Sequence, residues 1–189
     1  MLIKIFCKNT YKMDIIKVKD KEFSIFIKSE EILDSVARVA NRINHDYKGK
    51  NPLFLVVLNG AFMFASDLMK KIDLECEVSF VKLSSYSGTA STEKVKHLIG
   101  INEDIRGRSI IVVEDIVDTG ITIENMMEEL SKYEPADVKI ATLLLKPEKY
   151  DKGYNIDYVA IEIPNDFIIG YGLDYDGLAR NLSDIYKIV

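Results

Sequence analysis

The chain has 189 residues, 48% hydrophobic and 29% charged, with a net charge of −5; this suits one domain over 1–189 and withholds the basic face that nucleic acid calls for. Two cysteines, Cys7 and Cys76, exclude a disulfide framework and lack metal-ligand spacing, which fits a reducing compartment. The opening "MLIKIFCKNTYK" has too short an apolar run for a secretory signal, and "LFLVVL" falls far below the roughly 20 residues that span a bilayer, so a cytoplasmic protein with no membrane partner is expected.

In chain order, "SEEILDSVARVANRINHDYKG" reads as an amphipathic helix. Ser29 is its expected N-cap, Glu30 and Glu31 suit its positive end, and Gly49 is a natural stop. "LFLVVL" (53–58) is a continuously apolar strand bounded by Pro52 and Asn59-Gly60. "AFMFASDLMKK" from Ala61 reads as helix and "EVSFVKL" (77–83) as strand. "SSYSGTASTEK" (84–94) is small, polar and mobile in character. "SIIVVE" (109–114) is a second buried strand, followed by the helix "ITIENMMEELSKY" that Pro135 ends. "VKIATLLL" (138–145) and "YVAIEI" (158–163) complete the strands.

Apolar strands alternating with helices imply an α/β fold, a central mainly parallel twisted sheet with helices on both faces. Ligands of such sheets bind outside the carboxyl ends of the strands. Residues 59–61, 84–94, 114–121 and those just after Leu145 should therefore converge.

One of these segments, "VVEDIVDTGIT" (112–122), carries chemistry. A turn through Asp118, Thr119 and Gly120, between buried strand and helix, aims backbone N–H groups and a helix dipole at one point. With the Thr119 and Thr122 hydroxyls this makes a phosphate cradle. Glu114 and Asp115 would repel phosphate and suit sugar hydroxyls or a hard cation such as Mg²⁺. Asp118, nearest the cradle, is free to handle a proton. The pattern asks for a sugar phosphate. No G-x-x-x-x-G-K-[ST], G-x-G-x-x-G or G-x-S-x-G offers another reading.

In full form, an apolar run followed by E-D-x-x-D-T-G-x-T resembles the phosphoribosyl diphosphate signature of the type I phosphoribosyltransferases. The resemblance extends to the hypoxanthine-guanine branch through "LNGAFMFASDL" (58–68), "LSSYSG" (83–88), "LLLKP" (143–147) and "EIPNDFIIGYGLDYDGLARNL" (162–182). It implies that fold, with a small hood from the N- and C-terminal segments. Glu114 and Asp115 would hold the ribose hydroxyls with Mg²⁺ nearby, and Asp118, Thr119, Gly120, Ile121 and Thr122 the 5′-phosphate. Asp118 would be the base or proton relay at purine N7. Lys146 would donate to O6, Phe167 stack on the base, the Ile168 backbone meet its Watson–Crick edge, and Asp174 help place magnesium. Asn59, Gly60, Ser85, Tyr86 and Arg180 would meet the diphosphate, and Leu58-Asn59 would be a cis peptide. Homodimers or homotetramers are usual in the family.

Two departures remove positive charge near the ligand: Asn59 and Ile121 stand where many relatives carry basic residues. The expected reaction transfers phosphoribose to N9 of a 6-oxopurine and releases diphosphate, with 84–94 as the closing lid. Alternatives are an enzyme for adenine or a pyrimidine, a nucleic-acid-binding regulator on the same fold, and a magnesium-dependent hydrolase. Lys146, the acidic balance and the D-x-x-D-T spacing argue against them in turn.

Overall fold

A computed structural model describes residues 15–86, 95–99 and 104–189. The chain runs β1 (Ile15–Val18), β2 (Lys21–Ile27), α1 (Ser29–Asp46), β3 (Leu53–Val57), α2 (Phe62–Met69), β4 (Glu77–Tyr86), β5 (Val95–Ile99), β6 (Ser109–Val117), α3 (Ile121–Ser131), β7 (Asp137–Leu145), β8 (Tyr158–Glu162), β9 (Ile168–Ile169) and β10 (Ile185–Ile188). The larger sheet has the order β5-β4-β3-β6-β7-β8. Strands β4, β3, β6, β7 and β8 are parallel, and β5 is an antiparallel edge.

The apolar runs explain the layering. All five residues of β3 are buried. Its alternate side chains feed opposite faces: Phe54 and Val56 join Ile111 and Val113 under α1 and α2, while Leu53 and Leu55 join Ile110 and Val112 under α3. Each such burial stabilises by about 1.5–3 kcal/mol, so these strands lie at the centre. Helix α1 contributes Ile32, Val36, Val39, Ala40 and Ile43, spaced along one face.

Four features differ from expectation. Ser29 is the first helical residue and not the N-cap, which is Lys28. The Ser29 N–H instead donates to Asp184 Oδ1 at 2.7 Å, so the capping acceptor comes from the far end of the chain. Strand β4 continues past Leu83 through Tyr86, because β5 pairs with it residue by residue, Ser84 to His97 and Tyr86 to Val95. Of the expected lid, only this strand backbone is described. Residues 87–94 and the side chains of Ser85 and Tyr86 lie outside the described residues.

Strand β6 also runs past Glu114 to Val117. Strand β3 last pairs with it at Val56↔Val113, whereas β7 stays in register through Val117↔Leu145. Glu114 and Asp115 thus sit in a strand that has lost one neighbour, facing the gap β3 leaves. The fourth feature is that strands not drawn from the sequence, β1, β2, β10 and β9, pair the N- and C-terminal segments expected for the hood into a second sheet, antiparallel throughout. Its Ile27, Ile168 and Ile185 belong to the same apolar cluster as α1 and α2.

A cavity of about 380 Å³ lies beside the amino ends of β7 and β8, away from the convergent loops. Its groups serve one another: Tyr47 Oη donates to Asp137 at 2.7 Å, Tyr158 Oη to Asp46 at 2.9 Å, and Lys139 pairs with Asp157 at 2.8 Å. These bonds fasten the end of α1 to the sheet.

Candidate active site

Where β3 leaves the sheet, the Leu58–Asn59 peptide is cis and the chain turns through Gly60. A Cβ on Gly60 would lie 1.4 Å from Asp115 Oδ2, and one on Gly172 would lie 2.1 Å from the Gly60 carbonyl oxygen. Gly172 also has φ +99°, where side chains are strained. Glycine at both positions lets three chain segments meet around Asp115. Beside them a cavity of about 280 Å³ opens between Asn59-Gly60, Glu114-Asp115, Thr122 and the pair Asp174–Arg180.

That pair is tightly tied. Arg180 Nη2 lies 2.5 Å from Asp174 Oδ1, and its Nη1 donates to the Gly172 carbonyl at 2.7 Å. Asp174 Oδ2 accepts the Gly177 N–H at 2.6 Å.

The two strand carboxylates are electrostatically frustrated. Glu114 is 5% exposed, and its Oε2 has no hydrogen-bond partner among the described residues. Burial, reinforced by the charge of Asp115, pushes its carboxyl well above the usual range. Burial likewise pushes Asp115 up to about 6, against the opposing pull of the Ile116 N–H and Arg180. The folded chain therefore keeps protons that the unfolded chain sheds from about pH 4 upward. Stability from these groups is present in acid and is lost as pH rises through 6. The unfolding midpoint of the ligand-free protein should accordingly fall between pH 5 and 7, and Asp115→Asn should flatten that slope. An unchanged slope in the variant would assign it to other groups.

The cradle forms as its residues demand. Gly120 is left-handed at φ 79° and caps α3, where no side chain takes the capping role. The first-turn N–H groups thus point outward, and a cavity of about 260 Å³ lies along 114–123. Thr119 is exposed and Thr122 half-buried. Ile121 is 49% exposed, an apolar side chain beside the place a basic one would serve.

At the end of β7, Lys146 is 7% exposed and donates to Asp118 Oδ2 at 2.9 Å. Lys149 Nζ lies 3.3 Å from Asp118 Oδ1. Burial favours the neutral acid, but the two ammonium groups outweigh it and hold the Asp118 carboxyl below its ordinary range. Phe167, just before β9, is 43% exposed, and Ile168 lies in β9. Phe167 meets Tyr175 edge-on at 5.8 Å and Phe23 at 6.2 Å, with Lys21 Nζ 5.2 Å from its centroid. Neither Phe167 nor Ile168 lines the two cavities described above.

A model of the phosphoribosyl transferase domain matches residues 26–176. This chain belongs to the phosphoribosyltransferase family. Its relatives include the hypoxanthine-guanine phosphoribosyltransferase of Streptococcus pneumoniae, 40% identical over 162 residues, covering 85% of this chain and 90% of that protein. The Streptococcus thermophilus protein of the same name is 42% identical over 84% of this chain and 88% of its own. A crystal structure of a hypoxanthine-guanine phosphoribosyltransferase from Bacillus anthracis superposes with a TM-score of 0.78 at 34% identity, over 87% of this chain and 96% of that one.

The phosphoribosyltransferase thus brings Asn59, Gly60, Glu114, Asp115, Thr122, Asp174 and Arg180 to one cavity, and ties Lys146 to Asp118 beside it. Sequence reading missed Gly172 and Lys149. Gly172 is recognisable only once the chain it nearly touches is known. Lys149 carried a weak signal, standing three residues after Lys146 in a stretch that makes one helical turn, with the Lys149 and Tyr150 N–H groups both donating to the Lys146 carbonyl.

Proposed function

We propose that this phosphoribosyltransferase transfers the 5-phosphoribosyl group of phosphoribosyl diphosphate to N9 of hypoxanthine or guanine, in purine salvage in the cytoplasm. The single observation that carries the reading is the buried Lys146–Asp118 pair beside the phosphate turn. A donor-only cation and an acceptor-only carboxylate, 2.9 Å apart, match the carbonyl O6 and the N7–H of a 6-oxopurine.

The second sheet acts as the hood, with Phe167 stacking on the base and the Ile168 backbone meeting its edge. The 118–122 turn holds the 5′-phosphate, and Glu114 and Asp115 accept the ribose 2′- and 3′-hydroxyls. Arg180, with Asn59, Gly60, Ser85 and Tyr86, meets the diphosphate. As N9 bonds to C1, the C1–O bond breaks, the diphosphate departs with its electrons, and Asp118 accepts the N7 proton.

Among the described residues no set of three or more His, Cys, Asp or Glu is poised to enclose a metal. The donors present are hard carboxylates at an open cavity, among them the unpartnered Glu114 Oε2. They would fit Mg²⁺: Glu114 and Asp115 would hold it together with substrate oxygens, and Asp174 would join them once Arg180 turns to the diphosphate. When bound, it neutralises the leaving group. The enzyme is expected to assemble as a homodimer or homotetramer, a point that light scattering decides.

Product formation with phosphoribosyl diphosphate, Mg²⁺ and each purine in turn, followed by ultraviolet absorbance, tests the reading. Hypoxanthine and guanine should turn over and adenine should not. Absence of turnover with every purine, in folded protein, would overturn it. Gly60→Ala should lower kcat/KM for phosphoribosyl diphosphate by about tenfold, since the added methyl must displace the Asp115 carboxylate. Wild-type kinetics in that variant would detach Asp115 from the sugar site.

A further inference from the structure

Asp118 offers two oxygens, and the molecule treats them differently. Oδ2 receives a directed hydrogen bond from buried Lys146. Oδ1 is buried and without a hydrogen bond among the described residues, and Lys149 Nζ stands 3.3 Å from it as an ion pair only. The side chains differ in the same sense: that of Lys146 is 8% exposed and that of Lys149 38%. One lysine is the inner partner of the carboxylate and the other its outer partner.

The proposed reaction takes the inner partner away. Once Lys146 donates to the exocyclic oxygen of the base, its hold on Oδ2 loosens at the moment Asp118 must aim at the ring nitrogen. A carboxylate on a loop, with one fixed partner gone, is free to rotate.

Lys149 is well anchored for a second hold. Its N–H and that of Tyr150 donate to the Lys146 carbonyl at 3.1 and 3.2 Å, so both lysines spring from one tight turn. The turn is braced against the phosphate loop. A Cβ on Gly120 would meet the Tyr150 ring at 2.5 Å, Tyr150 Oη donates to the Tyr154 carbonyl at 2.5 Å, and Lys152 reaches Glu124 in the first turn of α3 at 3.1 Å.

We infer that Lys149 is a positioning residue for Asp118, holding the carboxylate through Oδ1 while Lys146 turns from Oδ2 to the base. This rests on the proton-accepting role of Asp118 proposed above. An ordinary surface ion pair would contribute little; here the acceptor atom is buried and lacks a directed hydrogen bond, so losing the cation strands it.

A double-mutant cycle separates positioning from bulk structure. Lys149→Met should lower kcat about fivefold, leave KM for both substrates within about twofold, and be largely restored by Lys149→Arg. In the Asp118→Asn background the same substitution should cost nothing further. No loss in Lys149→Met, or an equal loss in both backgrounds, would overturn the inference while the role of Asp118 stands. If Asp118→Asn is itself silent, that role falls and the inference falls with it.

Discussion

Asp118→Asn should lower turnover by roughly 10²–10⁴, the span expected when a proton acceptor is removed. The amide keeps the shape and one acceptor oxygen but takes no proton, so KM for the base should change far less than kcat. A second effect follows from the ligand-free geometry. Lys146, 7% exposed, would lose its charged partner 2.9 Å away, and a buried cation left with a neutral amide costs stability. The variant should therefore also unfold at a lower temperature, and a purine able to receive Lys146 should recover part of that loss. Turnover within tenfold of the parent would mean that the base loses its proton without help from this carboxylate.

Lys146→Gln should change which base is used. A protonated amine only donates, so the parent favours a carbonyl at C6 and opposes the amino group of adenine. Glutamine can present either its amide N–H or its oxygen, which removes the opposition. Use of hypoxanthine should fall, and the hypoxanthine-to-adenine ratio of kcat/KM should drop by up to about 10⁴, the range available to a buried polar mismatch. Competition between the two bases in one reaction reads the ratio directly. A ratio unmoved by the substitution would remove Lys146 from base selection. Asp118 would keep only the more distant Lys149, so its carboxyl should titrate nearer its ordinary range in this variant.

Much of the parallel sheet was readable because its strands are buried on both faces. Runs such as "LFLVV" and "SIIVV" admit few other homes. The antiparallel pieces were not. Strand β5 and the strands of the second sheet carry no apolar run like those of β3 and β6, and β10 gains its place from β2, a partner far off in sequence. The N-terminus of α1 misled because its partner is distant: Ser29 has the right side chain for a cap, but its own N–H donates to Asp184 Oδ1. In the site, the acidic signature announced itself through residue types that core packing does not want. The fit of Gly172 against Gly60 and the outer lysine on Asp118 depend on distances between segments, which one-dimensional spacing does not carry.

The pairing of β2 with β10 also governs when the site comes into being. Ile27 meets Ile185 across most of the chain's length, and β9 joins the sheet only through β10. The strands of the larger sheet and the phosphate turn all precede Ile163, whereas Ile168 and Ile185, which complete the apolar cluster under α1 and α2, are synthesised last. Loop closure between such distant strands comes late and slowly. A nascent chain would pass through an interval with its phosphate turn in place but the Asp174–Arg180 side of the cavity and the base half still open, and removing only the final strand should leave the base half open.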